Sequence, residues 1–179
     1  MTERVAPLFT DILILGLLRR GPRHGYEIKQ AVEATLGGLY QMNNSQLYPA
    51  LATFQEMGAI TREVVQQQGR PDKHLYHLTS LGSEILHDLV VDFPPDRARR
   101  EAEFYVRVAY FDLLLPAERL AILRQRLDIL HRRLQNVASW RAGGADGYMS
   151  GLVGMRTAML DLERRQVEAW IGRESETAE

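Results

Sequence analysis

The order of turn and capping signals between residues 21 and 82 restricts this 179-residue chain more than any other feature. Gly21-Pro22-Arg23-His24-Gly25-Tyr26-Glu27-Ile28 comes first, then Asn44-Ser45-Gln46-Leu47-Tyr48-Pro49-Ala50-Leu51, then Gly69-Arg70-Pro71-Asp72-Lys73-His74-Leu75-Tyr76-His77-Leu78-Thr79. In that order they spell two short helices, a hairpin with a polar tip and a new helix start. The order predicts a winged helix-turn-helix, which makes DNA the first candidate partner.

Local patterns fill in the elements. Phe9, Ile12, Leu13, Gly16 and Leu17 follow helical spacing, predicting a helix from Leu8 to Arg20 with one buried stripe. A second helix is expected from about Gly25 to Leu36, with Tyr26 or Ile28, Val32 and Leu36 inward and Gly37-Gly38 closing it. Asn43, Asn44 and Ser45 offer caps for a third, reaching Met57, with Leu47, Leu51 and Phe54 inward and Pro49 tolerated near the first turn. Ile60 to Val65 and His74 to Leu78 read as strands around the wet tip Gln66 to Asp72. Thr79 opens a fourth helix that ends near Val91, and Pro94-Pro95 marks a boundary.

Past the prolines the period becomes heptad-like. Phe104, Val108, Phe111 and Leu115 form one series, and Leu120, Leu123, Leu127, Leu130, Leu134 and Val137 a second. Tyr148, Leu152, Met155, Met159 and Leu162 form a third, so three helices are expected, parted at Pro116 and at the Gly143-Gly144-Ala145-Asp146-Gly147 run. Such narrow apolar seams seldom satisfy themselves alone, which points to dimerisation. The predicted fold is mainly α with a small β-hairpin: a winged helix-turn-helix over 1–91, an α-helical dimerisation domain over 97–172 and a disordered tail over 173–179.

Composition sets the outer limits. Hydrophobic residues at 45% and charged ones at 25% describe a globular chain. Without cysteine there are no disulfides or thiolate metal sites, which suits a reducing interior. The apolar run Ile12 to Leu18 is far shorter than a membrane span, and no cleavage pattern follows it, so a cytoplasmic protein with no membrane partner is expected. The formal net charge of -1 speaks against a polyanion partner. The split softens that objection: residues 1–78 hold 8 Lys/Arg and 7 Asp/Glu, net +1, against 14 and 16, net -2, in the rest.

The second helix of a helix-turn-helix enters the major groove by its amino end, which here carries Asn43, Asn44, Ser45, Gln46, Tyr48 and Pro49, with Thr53 farther along. Asn and Gln can pair two atoms of adenine, and flat Tyr and Pro surfaces suit a thymine methyl. The same Asn and Ser also make ordinary helix caps. Gly69 supplies a tight wing turn while Arg70 and Lys73 aim charge at phosphate, and His24, Gly25 and Tyr26 open a helix whose free N–H groups favour an anion.

Three segments resemble the PadR family of bacterial transcriptional regulators. They are Ile14-Leu15-Gly16-Leu17-Leu18 running into Gly21 and His24-Gly25-Tyr26-Glu27-Ile28; Leu47-Tyr48-Pro49-Ala50-Leu51 with Gly58-Ala59-Ile60; and Gly69-Arg70-Pro71 with Tyr76-His77-Leu78-Thr79 and Gly82. The resemblance covers about residues 8–90, and the helical half is similar in layout to the larger subgroup. It implies a homodimeric winged-helix repressor that binds an inverted-repeat, palindromic operator in double-stranded DNA and releases it when a ligand binds. The wing departs from the family in carrying Gln66-Gln67-Gln68 and only two cations.

Catalysis finds no footing: no HExxH, nucleophile elbow, P-loop or GxGxxG occurs, and His74 and His77 fall on opposite faces of a strand. No cofactor or metal is expected. The alternative to a DNA regulator is a winged-helix module that binds protein. Phe93, Phe104, Phe111, Trp140 and Tyr148 are the candidate lining for a small aromatic effector, although aromatics at helical spacing also serve as core.

Overall fold

In the computed structural model, residues 8–35, 41–66, 73–142 and 147–177 are described. They fall into two units, Met1–Asp92 with Tyr105–Leu113, and Phe93–Phe104 with Leu114–Glu179. The units interleave along the chain, whereas the proline pair had suggested a single clean division.

Helix α1 (Leu8–Arg19) is the centre of the first unit. Every residue from Phe9 to Leu18 is buried, where a single stripe was expected. Thr10 and Asp11 are the only polar side chains in that run, so a helix apolar almost all round is enclosed by the helices Gly25–Thr35 and Ser80–Val91 and the strand Lys73–Leu78. Gly16 admits the ring of Tyr110: a Cβ built there would lie 2.2 Å from that ring. Burial raises the Tyr110 phenol pKa above its ordinary value.

A two-residue strand β1 (Arg23–His24) precedes α2 (Gly25–Thr35) and pairs antiparallel with β3 (Lys73–Leu78). With β2 (Ile60–Val65) it makes a three-stranded sheet of order β1-β3-β2, one strand more than the expected hairpin. Two residues are too few to display alternation, so β1 left no signal in the sequence. Ile60 pairs with Leu78 and Val65 with Lys73, which starts β3 one residue earlier than expected. Of the two inward candidates in α2, Ile28 is buried and Tyr26 is exposed. Leu36 and the Gly37-Gly38 stop lie outside the described residues.

Helix α3 (Asn44–Glu56) buries Leu47, Ala50, Leu51 and Phe54. Pro49 stands in the second turn, deeper than expected, and having no N–H it leaves the Ser45 carbonyl without its helical donor. Thr79 caps α4 (Ser80–Val91): its Oγ accepts the Gly82 N–H at 3.0 Å and lies 2.8 Å from the Gly58 carbonyl oxygen. A Cβ on Gly82 would stand 2.0 Å from the Ala59 carbonyl oxygen, so α4 meets the start of β2 at backbone distance. Arg107, fully buried, donates from Nη2 to the carbonyls of Leu89 at 3.2 Å and Asp92 at 2.8 Å. It thereby fastens the 105–113 segment to the last turn of α4 and satisfies carbonyls the helix leaves open.

The second unit is built on α7 (Pro116–Ala142) and α8 (Gly147–Thr177), with α5 (Pro95–Ala98) packed on α7. The first heptad-like series does not make a long helix. Helix α6 (Glu101–Val108) stops and a 3₁₀ turn covers Phe111–Leu113, because the Tyr110 and Leu113 amides bond three residues back, to Arg107 and Tyr110. Pro116 begins α7, and Glu118 reaches back to accept the Leu115 N–H at 2.8 Å.

Arg126 lies in the core of this unit with its side chain fully covered. Its Nε donates to Glu163 Oε1 at 2.7 Å, Nη1 donates to the Ala98 carbonyl at 3.1 Å, and the guanidinium sits 5.1 Å from the centre of the Phe104 ring. Nearby, Glu101 accepts from Arg133 at 2.9 Å and Arg156 at 2.7 Å. Burial pushes the Glu101 pKa up, but the Arg156 hydrogen bond and the charges of Arg156, Arg133 and Arg126 together bring it below the ordinary value.

In α8 the residues turned inward are Val153, Leu160 and Val167. The stripe expected to be a seam, Tyr148, Leu152, Met155, Met159 and Leu162, is exposed along its length. The supposed tail is helical as far as Thr177, held where Arg119 Nη1 donates to both Glu174 oxygens at 3.0 and 3.1 Å.

Candidate nucleic-acid interface

One arc of α3 faces solvent: Asn44, Ser45, Tyr48, Pro49, Ala52, Gln55 and Glu56 are exposed, with Asn43 at the cap. The apolar positions face the opposite way, so helical geometry alone turns this arc outward. Two of the expected contacts are partly committed within the helix. The Gln46 side-chain oxygen accepts the Asn43 N–H at 3.1 Å, and the Thr53 hydroxyl donates to the Pro49 carbonyl at 2.9 Å. Asn44, Ser45, Tyr48 and Pro49 therefore offer the outward chemistry.

The start of α2 meets this arc. The Tyr48 ring edge lies 3.2 Å from where a Cβ on Gly25 would begin, so the two helices close up through a residue that has no side chain. His24 and Tyr26 stack with ring centres 6.0 Å apart and planes within 9°. Lys73 Nζ is 5.7 Å from the centre of the Tyr26 ring, while His24 Nδ1 is 2.9 Å from the His74 carbonyl oxygen. His24, Gly25, Tyr26, Tyr48 and Lys73, far apart in sequence, thus share one patch at the base of the wing. Gly69 and Arg70 lie outside the described residues.

The electrostatics of the patch are mixed. Glu27 Oε2 accepts the His24 N–H at 2.8 Å and Oε1 accepts the Tyr26 hydroxyl at 3.3 Å. The His24 amide lowers the Glu27 pKa, and the adjacent Glu27 charge raises that of Tyr26. Arg62, exposed on β2, stands across from Tyr76, and both Arg62 and Tyr48 act on the Tyr76 phenol, whose pKa burial raises. Arg62 escaped the sequence analysis for a physical reason. Strand alternation places it with Ile60 and Val64 on the apolar side, yet only Ile60, at the base, is enclosed.

The aromatic residues proposed for an effector pocket are divided between the two units. Phe93 and Phe104 are core residues of the second unit, tilted against each other at 6.4 Å. Phe111 belongs to the first unit, and Tyr148 is fully exposed. The side chain of Trp140 lies outside the described residues. A groove of about 910 Å³ on the second unit is lined by Val137, Met149, Leu152, Met155 and Met159, with Arg133 and Arg156 at its side, and by none of the described aromatics. Among the described residues no cluster of three or more His, Asp or Glu could hold a metal, and no helix is long and apolar enough to cross a membrane.

Two short helices, an outward polar arc on the second of them and a flanking strand pair define a winged helix-turn-helix of the kind found in regulators of transcription. Residues 14–88 match the model of the transcriptional regulator PadR-like family. The negative transcriptional regulator PadR of Bacillus subtilis is 29% identical over 124 residues, covering 69% of this chain and 68% of that protein. Among solved structures, Bacillus subtilis PadR in complex with operator DNA is 23% identical, with a TM-score of 0.46, over 92% of this chain and 98% of that one. The same protein in complex with p-coumaric acid is 20% identical, with a TM-score of 0.42, over 95% and 98%.

Proposed function

We propose that this PadR-like regulator is a homodimeric repressor whose two α3 helices enter successive major grooves of an inverted-repeat operator. The observation that carries the reading is the outward arc of α3, where Asn44, Ser45, Tyr48 and Pro49 cluster at the amino end beside the wing base. Short polar donors and acceptors there reach base edges, and Tyr48 with Pro49 supplies flat apolar contact. Lys73 and Arg62 supply the phosphate contacts that set register.

Dimerisation is supported by the second unit. Tyr148, Leu152, Met155, Met159 and Leu162 form an exposed apolar stripe at heptad spacing, and the adjacent groove is apolar as well. A single chain gains nothing by exposing such a stripe, whereas a second copy buries it. Repression is the sense suggested by the name of the Bacillus subtilis relative, a negative transcriptional regulator.

Selection of duplexes from a random pool, followed by mobility shift, tests the reading. The expected product is a palindrome whose half-sites are about 10 base pairs, or a multiple of that, apart. Tyr48→Ala should lower affinity for the selected site more than for bulk DNA. A monomer at micromolar concentration, or equal affinity for palindrome and competitor, would overturn it.

A further inference from the structure

The helical unit carries a second hollow beside its methionine-lined groove. This hollow has a volume of about 360 Å³ and is walled by Arg99, Arg132 and Arg133 together with Ile129 and Asn136. Arg133 and Asn136 also line the groove of about 910 Å³, so the two cavities share a wall. Among the described residues neither lining contains an Asp or Glu. A basic end and an apolar end thus adjoin within one unit.

Three guanidinium groups brought to one small hollow repel each other unless anions stand among them. Arg133 has such a partner: Nη1 donates to Glu101 at 2.9 Å, while Nη2 donates to the Arg99 carbonyl, which fixes the group in place. Glu101 is shared with Arg156, which lines the groove. Arg132 donates from Nε to the backbone carbonyl of Asp128 at 3.2 Å, and among the described residues neither Arg132 nor Arg99 forms an ion pair. Two cations of the hollow are therefore left for an anion from outside. The stripe residues given above to a second copy, Tyr148, Leu152, Met155, Met159 and Leu162, carry no charge, so their burial covers methionine without neutralising Arg99 or Arg132.

We propose that the helical unit binds an amphipathic carboxylate, with its head at Arg99 and Arg132 and its apolar body along the methionine side of the groove. A guanidinium meets a carboxylate through two parallel N–H···O bonds, which sets the head. Met149, Met155 and Met159 are unbranched and adapt to an apolar body. A cavity that is mostly apolar, with a few polar groups converging at one end, is the usual form of a small-molecule site. A bare inorganic anion leaves the methionines in water, and a neutral hydrocarbon leaves the arginines unpaired. A ligand that joins the two satisfies both. The site lies wholly within the helical unit and does not rest on the DNA reading.

Titration calorimetry on the full-length protein with octanoate, octanol and acetate tests the assignment. Octanoate should bind, and octanol and acetate should bind at least about tenfold more weakly, because each lacks one half of the recognition. Arg132→Gln and Arg99→Gln should each weaken octanoate by about tenfold, the loss expected for a hydrogen bond between charged groups, with folding checked by circular dichroism. Met149→Gln should weaken it too while leaving the stripe residues intact. Arg165→Gln, which removes an exposed α8 charge outside both cavities, should leave octanoate affinity unchanged. Equal affinity for octanoate and octanol, an Arg165→Gln effect as large as that of Arg132→Gln, or no octanoate binding at millimolar concentration would overturn the proposal. So would octanoate that binds only while splitting a dimer, followed by sedimentation, because the groove would then belong to the second copy. If the protein is monomeric throughout and still binds octanoate in this pattern, the dimer reading fails and the site stands.

Discussion

Glu163→Ala should unfold the helical unit far more readily than its size suggests, because it strands a cation. Arg126 has no exposed side-chain surface, and besides Glu163 it has the Ala98 carbonyl and the face of Phe104. Removing one partner of a buried pair typically costs about 3–5 kcal/mol, since the remaining charge stays desolvated. Arg126→Met leaves Glu163 behind with 13% of its side chain reaching solvent and should cost somewhat less. The double variant Arg126→Met/Glu163→Leu removes both charges and fills the space with apolar atoms. It should recover most of the loss, apart from about 1 kcal/mol for the unpaired Ala98 carbonyl. Urea unfolding followed by tryptophan fluorescence reads this unit directly, because both tryptophans, Trp140 and Trp170, lie in α7 and α8. With an m-value of about 2 kcal/mol per M, a loss of about 4 kcal/mol lowers the midpoint by about 2 M. Additive losses in the double variant would refute the reasoning, because each single variant strands one buried charge and the double variant strands none.

Gly82→Ala should destabilise the winged-helix unit by about 3 kcal/mol or more, because the new methyl meets the Ala59 carbonyl, a backbone atom that cannot swing aside. Thermal melting by circular dichroism checks it, and an unchanged melting temperature would contradict the close approach. Arg62→Ala should weaken binding to all duplexes and flatten the salt slope by about 1 if the residue meets phosphate, measured by mobility shift at several salt concentrations. The Glu101 carboxyl has a folded pKa below its ordinary 4.5. Its arginine contacts therefore stabilise the helical unit in full above that value and are lost as pH falls through the lowered one. Urea titrations between pH 6 and about pH 3 should show Glu101→Gln with a flatter acid loss than wild type.

Where turn chemistry and periodicity are local, the sequence determined the outcome by itself. Thr79 as a cap, α3 with Leu47, Leu51 and Phe54 inward, the pairing of Ile60–Val65 with the strand ending at Leu78, and the outward Asn44 to Pro49 arc were all legible. Each depends on residues within a turn or two of one another. Five other features needed the tertiary structure. The full enclosure of α1, the added strand β1, the break after Val108, the direction of the Tyr148 to Leu162 stripe and the burial of Arg126 each depend on what a distant segment brings alongside. Two apolar faces on α8 satisfy the same helical period, and only packing against α7 chose Val153, Leu160 and Val167 over the methionines. Periodicity states that a face must be covered; the neighbour that covers it is set by contacts remote along the chain.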